Sequence, residues 1–295
     1  MLQSPPLAPA RGYGEAVQRV TALQALDGAD VLPEARSALL THGSRTPLCV
    51  VLLHGFTNHP GQYVQFAPLV HAAGANVLIP RLPLQGYRDR MTKALAKLTA
   101  EQLLDAASAA VDIACGLGDR VCVLGISSSG VLCAYFAQHR SDVALAVGVA
   151  PVFGMLQLPY AVSRAIARAA LVLPNRFLWW DPRIKMAQHP ATAYPRFPTR
   201  ALAQTLRISD DVYDSAKRSA PRAGRAVLVC NQHDPAVNNH VTHRVVRHWN
   251  LTRPGSAEQF TFTGLPHNHD IIDPDNPAAR TGVVYPKLLE LIRTA

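Results

Sequence analysis

The sequence predicts an α/β protein, a mostly parallel sheet with helices on both faces. Short β-branched apolar runs alternate with helix-patterned stretches along most of the chain. Strands separated by helices pair in parallel, with crossovers that lay the helices over the sheet. The runs are also continuously apolar, as strands buried on both faces are. A third observation is where this rhythm breaks: residues 151–224 are rich in Pro and Arg and carry the pair Trp179-Trp180.

In chain order, Leu48–Leu53 is the first buried strand, followed by a helix between Gly61 and Ala73. Asn76–Ile79 is the next strand, closed by Pro80, because proline cannot donate to a central ladder. Thr99 to Cys115 has helical spacing, with Thr99-Ala100-Glu101-Gln102 as a capped start and Gly116 as the stop. Arg120–Leu124 is a third strand and Val131–His139 a helix. Val143–Val149, Arg225–Cys230 and Gln259–Phe262 complete the strands, and Pro286–Ile292 closes the chain as an amphipathic helix. The expected division is a core of residues 1–150 and 225–295. Residues 151–224 are an insertion, with a helical fragment at Tyr160–Leu173, capping the carboxyl edge of the sheet, where α/β ligand sites lie.

Composition narrows the functional classes. The 295 residues are 48% hydrophobic and 17% charged, which supports a sizeable core. Lys and Arg (29) exceed Asp and Glu (20) by nine. Excess positive charge can serve nucleic acid, but here it is scattered and not interleaved with aromatics, so nucleic-acid binding is not expected. Cys49, Cys115, Cys122, Cys133 and Cys230 form no CxxC pair and read as core residues of a reducing, cytoplasmic setting. The N-terminus lacks a secretory pattern. Val143–Ser163 is uncharged and long enough to span a bilayer, but its Pro and Gly residues make it a buried strand and a loop. Among 12 histidines, His267 with His269, and His240 with His243, have ligand-like spacing without a third partner, so no metal and no cofactor are expected. His240, His243 and His248 fit a solvated helix face.

The strand at Arg120–Leu124 runs into Gly125-Ile126-Ser127-Ser128-Ser129-Gly130 and then a helix. A nucleophilic serine exposed on a tight strand-to-helix turn needs small residues two positions to either side. Gly125 and Ser129 satisfy this around Ser127, whereas centring on Ser128 would place Ile126 where a small residue is needed. Attack on a carbonyl leaves an oxyanion that needs N–H donors. Ser128, at the helix N-terminus, supplies one. The second is expected from His54-Gly55-Phe56-Thr57, with Phe56 preferred and Thr57 the alternative. Asp234 stands on the loop after the strand that ends at Cys230, as an orienting carboxylate or as a helix cap. The base is His269 or His267; His269, beside the anchoring pair Ile271-Ile272, is preferred.

Together, HGFT after a strand, GISSSG, NQHDPAV and PHNHDIID resemble the α/β-hydrolase superfamily, in its capped carboxylesterase and monoacylglycerol-lipase-like bacterial branch. The resemblance runs from about Leu48 to the C-terminus. It implies an α/β-hydrolase fold with a helical cap inserted before the strand that carries the acid. It further implies Ser127 as nucleophile, Asp234 as acid, His269 as base, and the Phe56 and Ser128 amides as the oxyanion hole. Two positions depart from the family pattern: Ser129 replaces the elbow glycine, and Gln85 stands where relatives often carry histidine. The implied activity is hydrolysis of a small apolar ester through an acyl-enzyme, with Trp179 and Trp180 contacting substrate and a basic surface able to touch lipid peripherally. Three alternatives use the same residues or pocket: amide cleavage anchored by Asp210, Asp211 or Asp214, acyl transfer, or non-catalytic ligand binding.

Overall fold

The first helix, α1 (Tyr13–Ala25), buries only Ala16 and Val20, against a later helix, too thin an apolar stripe to stand out in the sequence. It is followed by β1 (Ala38–Leu40), β2 (Thr46–Leu53), α2 (Phe66–Ala72) and β3 (Asn76–Ile79). A separate 3-10 turn over Pro60–Tyr63 occupies the start of the single helix expected at 61–73. Next come α3 (Ala100–Leu117), β4 (Gly118–Ile126), α4 (Ser128–His139) and β5 (Leu145–Val149). The expected capping box at Thr99 is present: Thr99 Oγ1 accepts from Gln102 N, and Gln102 Oε1 from Thr99 N, both at 3.1 Å. The helix stop is Gly118 rather than Gly116, and β4 begins there without a loop.

The break in the rhythm holds α5 (Tyr160–Val172), the antiparallel pair β6 (Phe177–Trp179) and β7 (Arg196–Pro198), and α6 (Thr199–Ala216). The chain ends with β8 (Arg225–Asn231), α7 (Asn239–Thr252), β9 (Ala257–Phe262) and α8 (Thr281–Arg293). α8 starts five residues before the expected Pro286, which is accommodated inside the helix. The computed structural model describes residues 2–155, 158–188 and 190–295. Among them, no helix is long and apolar enough to cross a membrane.

The seven-stranded sheet has the order β1-β3-β2-β4-β5-β8-β9. All neighbours are parallel except the edge strand β1, antiparallel to β3. Side chains alternate faces along each strand. Cys49, Val51 and Leu53 therefore join the core under α1, α3, α4, α6 and α7, while Val50 and Leu52 join the core under α2 and α8. Burial on both faces is why these strands are continuously apolar in the sequence.

Within the expected insertion, α6 packs on α5, α4 and α7 and buries Ala201, Ile208 and Val212 in the core.

Candidate active site

Ser127 sits between β4 and α4 with φ 60° and ψ −114°, a strained conformation for a residue with a Cβ. Three main-chain bonds hold it there: Ser127 N to Val149 O at 2.8 Å, Val131 N to Ser127 O at 3.2 Å, and Val152 N to Ser127 O at 3.3 Å. The turn is tight enough that a Cβ on Gly125 would lie 2.7 Å from Ser129 Cβ and 2.7 Å from Ser129 O. Ser129 fits where a glycine is usual because its buried hydroxyl donates to His54 O at 2.5 Å. The substitution thereby ties the turn to the loop after β2.

His269 stands 142 residues further on, after β9. Its Nε2 is 2.8 Å from Ser127 Oγ, and its Nδ1 is 2.8 Å from Asp234 Oδ2. The other Asp234 oxygen accepts from Ala236 N at 2.8 Å and Val237 N at 3.2 Å. Asp234 thus orients the imidazole and shapes its own loop, while Asn238 caps α7. Burial opposes a charge on His269, but the Asp234 carboxylate, through charge and hydrogen bond, and Asp270 together outweigh it and raise the His269 pKa above its usual value. His267 turns away and stacks on His233, with ring centroids 5.2 Å apart. Among the described residues, no group of three or more His, Cys, Asp or Glu is arranged to hold a metal. A hydroxyl, imidazole and carboxylate chained in this way can activate the hydroxyl as a nucleophile.

Phe56 and Ser128 line the same cavity as Ser127. Thr57 N is unavailable to a ligand because it donates to Gln85 Oε1 at 2.7 Å. That leaves Phe56 N as the amide of this loop that can face a bound group. His54, wholly buried, holds the loop: its Nδ1 is 3.0 Å from Gly55 O, and its Nε2 accepts from Leu82 N at 3.0 Å. Burial lowers its pKa to about 3, so it stays neutral and keeps both contacts.

Several residues joining this loop to the His269 loop carried no signal in the sequence. Gln62 Oε1 accepts from Gly55 N at 2.8 Å and its Nε2 donates to Asp270 Oδ2 at 2.6 Å. Asn58 Nδ2 donates to Asp273 Oδ2 at 2.9 Å. The Gln62–Asp270 and Asn58–Asp273 pairs are more than 200 residues apart, so no local spacing reveals them. Burial raises the pKa of Asp270, and burial together with Asp270 pushes that of Asp273 up to about 7.

The cavity has a volume of about 310 Å³ and is lined by Val152, Met155, Trp180, Pro195, Leu202 and Val237 among others. Trp180 is in the lining, and the expected Trp179, the last residue of β6, is not. Asp210, Asp211 and Asp214 also lie outside it. They are engaged by Tyr160 and Arg164, by His139 and Leu2 N, and by Arg164 and Lys217, respectively. They therefore offer no anchor for a substrate amino group there.

Residues 50–280 match the model of the alpha/beta hydrolase family. A thermostable monoacylglycerol lipase from Bacillus sp. (strain H-257) is 27% identical over 168 residues, 55% of this chain and 62% of that protein. The chain thus matches less than two thirds of the length of this curated relative. Among solved structures, one described with the metagenome-derived lipolytic enzymes LipS and LipT superposes with a TM-score of 0.68 at 19% identity, over 90% of this chain and 100% of the other. A Paleococcus ferrophilus monoacylglycerol lipase gives 0.67 at 16% identity, over 88% and 98%. The parallel sheet, the turn at Ser127 and a family match over most of the sequence lead to one conclusion: the chain belongs to the α/β-hydrolase family.

Proposed function

We propose that this protein is a serine hydrolase that cleaves carboxylic esters through an acyl-enzyme. The observation that carries the reading is the chain from Ser127 Oγ to His269 to Asp234, two contacts of 2.8 Å each, mounted on a strained turn. Ser127 Oγ attacks the ester carbonyl as His269 Nε2 takes its proton, and Asp234 steadies the imidazolium. The Phe56 and Ser128 amides stabilise the oxyanion. Collapse of the tetrahedral intermediate expels the alcohol, which leaves with the proton from His269. Water, deprotonated by His269, then releases the acid and regenerates Ser127.

The apolar cavity wall supports an apolar acyl or alcohol group, and similarity to proteins named as monoacylglycerol lipases supports an ester over an amide. Residues 151–224 act as the cap over this cavity, with Val152, Met155, Trp180 and Leu202 in its wall. The outward face of α5 exposes Val162, Ile166 and Val172, which supports peripheral contact with lipid. Salt-dependent sedimentation with anionic vesicles tests that contact. Five unpaired cysteines, four of them buried, support a reducing, cytoplasmic setting.

The deciding experiment is labelling by a fluorophosphonate probe, followed by p-nitrophenyl ester chain-length profiling. Labelling is expected in the wild type, Ser128→Ala and Ser129→Ala, and lost in Ser127→Ala. A folded wild type that takes no label overturns the reading and favours a non-catalytic receptor.

A further inference from the structure

Thr57 bonds to two parts of the chain far from it in sequence. Its amide donates to Gln85 Oε1 at 2.7 Å and its carbonyl accepts from Tyr194 N at 2.9 Å. Its hydroxyl donates to Phe56 O at 2.6 Å and accepts from Trp180 Nε1 at 2.9 Å. Two of the four partners, Trp180 and Tyr194, belong to the segment over the cavity. The Tyr194 hydroxyl also accepts from Tyr87 N at 3.1 Å and donates to Leu84 O at 3.2 Å, so the same tyrosine holds the stretch that presents Gln85. Thr57 itself has φ 67°, a left-handed conformation that a β-branched residue adopts only when its surroundings hold it there.

We propose that Thr57 is a positioning residue through which the seating of the covering segment sets the Phe56 amide for catalysis. The inference rests on the hydrolase reading above. On one side of Phe56, Gly55 N is fixed by Gln62; on the other, Phe56 O is fixed by the Thr57 hydroxyl. Phe56 N–H shares its peptide plane with Gly55 O, which accepts from His54 Nδ1 at 3.0 Å and from Asn58 N at 3.2 Å, and the second of these bonds closes a turn that Thr57 completes in its left-handed conformation. The Phe56 ring meets the Trp180 ring edge-on, with centroids 6.2 Å apart, so the segment grips the residue through both main chain and side chain. Lifting the segment to admit substrate breaks the Trp180 and Tyr194 bonds and frees Thr57 to leave its left-handed conformation. The oxyanion donor is then in place only when the segment is seated, which couples closure over the substrate to acyl transfer.

The test compares kcat and KM for p-nitrophenyl butyrate in the wild type, Thr57→Val, Thr57→Ser, Trp180→Phe and the double variant Thr57→Val/Trp180→Phe. Rates are expressed per active site titrated with the fluorophosphonate, so that loss of folded protein does not count as loss of turnover. Thr57→Val keeps the β-branched shape and removes the hydroxyl. Its kcat is expected to fall about 10–100-fold, the scale of a small misplacement of catalytic groups, with KM changed by less than about twofold. Thr57→Ser restores the hydroxyl and with it kcat. Trp180→Phe lowers kcat about 3–10-fold, the scale of one hydrogen bond, and lowers it no further in the Thr57→Val background.

Wild-type kcat in Thr57→Val, or equal and independent losses in the double variant, overturns the positioning role. If Thr57→Val does not fold, Trp180→Phe, altered on a half-exposed ring, carries the test, and an unchanged kcat there overturns the proposal. A wild type with neither labelling nor turnover instead brings down the hydrolase reading itself, an outcome distinct from these.

Discussion

Gln85 Oε1 accepts the Thr57 amide at 2.7 Å, across 28 residues of sequence. This bond occupies Thr57 N, which supports Phe56 N as the amide of this loop in the proposed oxyanion hole. It also gives a physical role to a residue that stands where relatives often carry histidine. Gln85 is buried, so Gln85→Met leaves Thr57 N–H without an acceptor, a loss of about 1–3 kcal/mol. The expected result is a lower melting temperature together with a lower kcat. A variant with both unchanged would contradict this account of Gln85.

The turn at Ser127 is limited by volume. Gly125→Ala places a methyl within 2.8 Å of three Ser129 atoms, two of them main-chain. Overpacking at a rigid turn costs about 1–3 kcal/mol or more. Gly125→Ala is expected to melt earlier and to label slowly with fluorophosphonate. Adding Ser129→Gly removes only the side-chain contact, so it rescues little. Full recovery in the double variant would show that the main chain gives way.

His269 and His267 separate cleanly by mutation. Loss of a triad base costs about a million-fold in kcat where it has been dissected, and His269→Ala is expected near that scale, with His267→Ala within a few-fold of wild type. Asp234→Asn is expected to lower kcat about ten-thousand-fold.

The pH dependence follows with its sign. His269 serves as base when neutral, so kcat/KM is present at high pH and lost as pH falls through its pKa. Asp234 and Asp270 together raise that pKa above its usual value. The midpoint of the profile is therefore expected above about 6.5 and to move down in Asp234→Asn. A wild-type midpoint below the ordinary histidine value would contradict this arrangement.

Asp273 makes a separate prediction about stability. Its folded pKa of about 7 lies above its ordinary value of 3.8, first because of burial and then because of Asp270. Between those values the folded state binds more protons than the unfolded, so stability falls as pH rises from about 4 to about 7. Melting temperatures are expected to decline over that range in the wild type and to decline less steeply in Asp273→Asn. Equal slopes would remove Asp273 as the cause.

The sequence by itself determined the parallel sheet, the turn at Ser127 and the order of serine, aspartate and histidine along the chain. These are local or ordered features: strands buried on both faces must be apolar throughout, and the turn after β4 needs small residues two positions to either side of Ser127. Tertiary structure decided what depends on residues far apart in sequence. It set His269 rather than His267 beside Ser127 and Trp180 rather than Trp179 in the cavity wall. It also made the pairs Gln62–Asp270, Asn58–Asp273 and Thr57–Gln85. The physical reason is that hydrogen bonds and packing act over a few ångströms of space, whatever the separation along the chain. A residue's spacing from its neighbours records its local conformation; which distant group it meets is decided only when the strands and helices assemble.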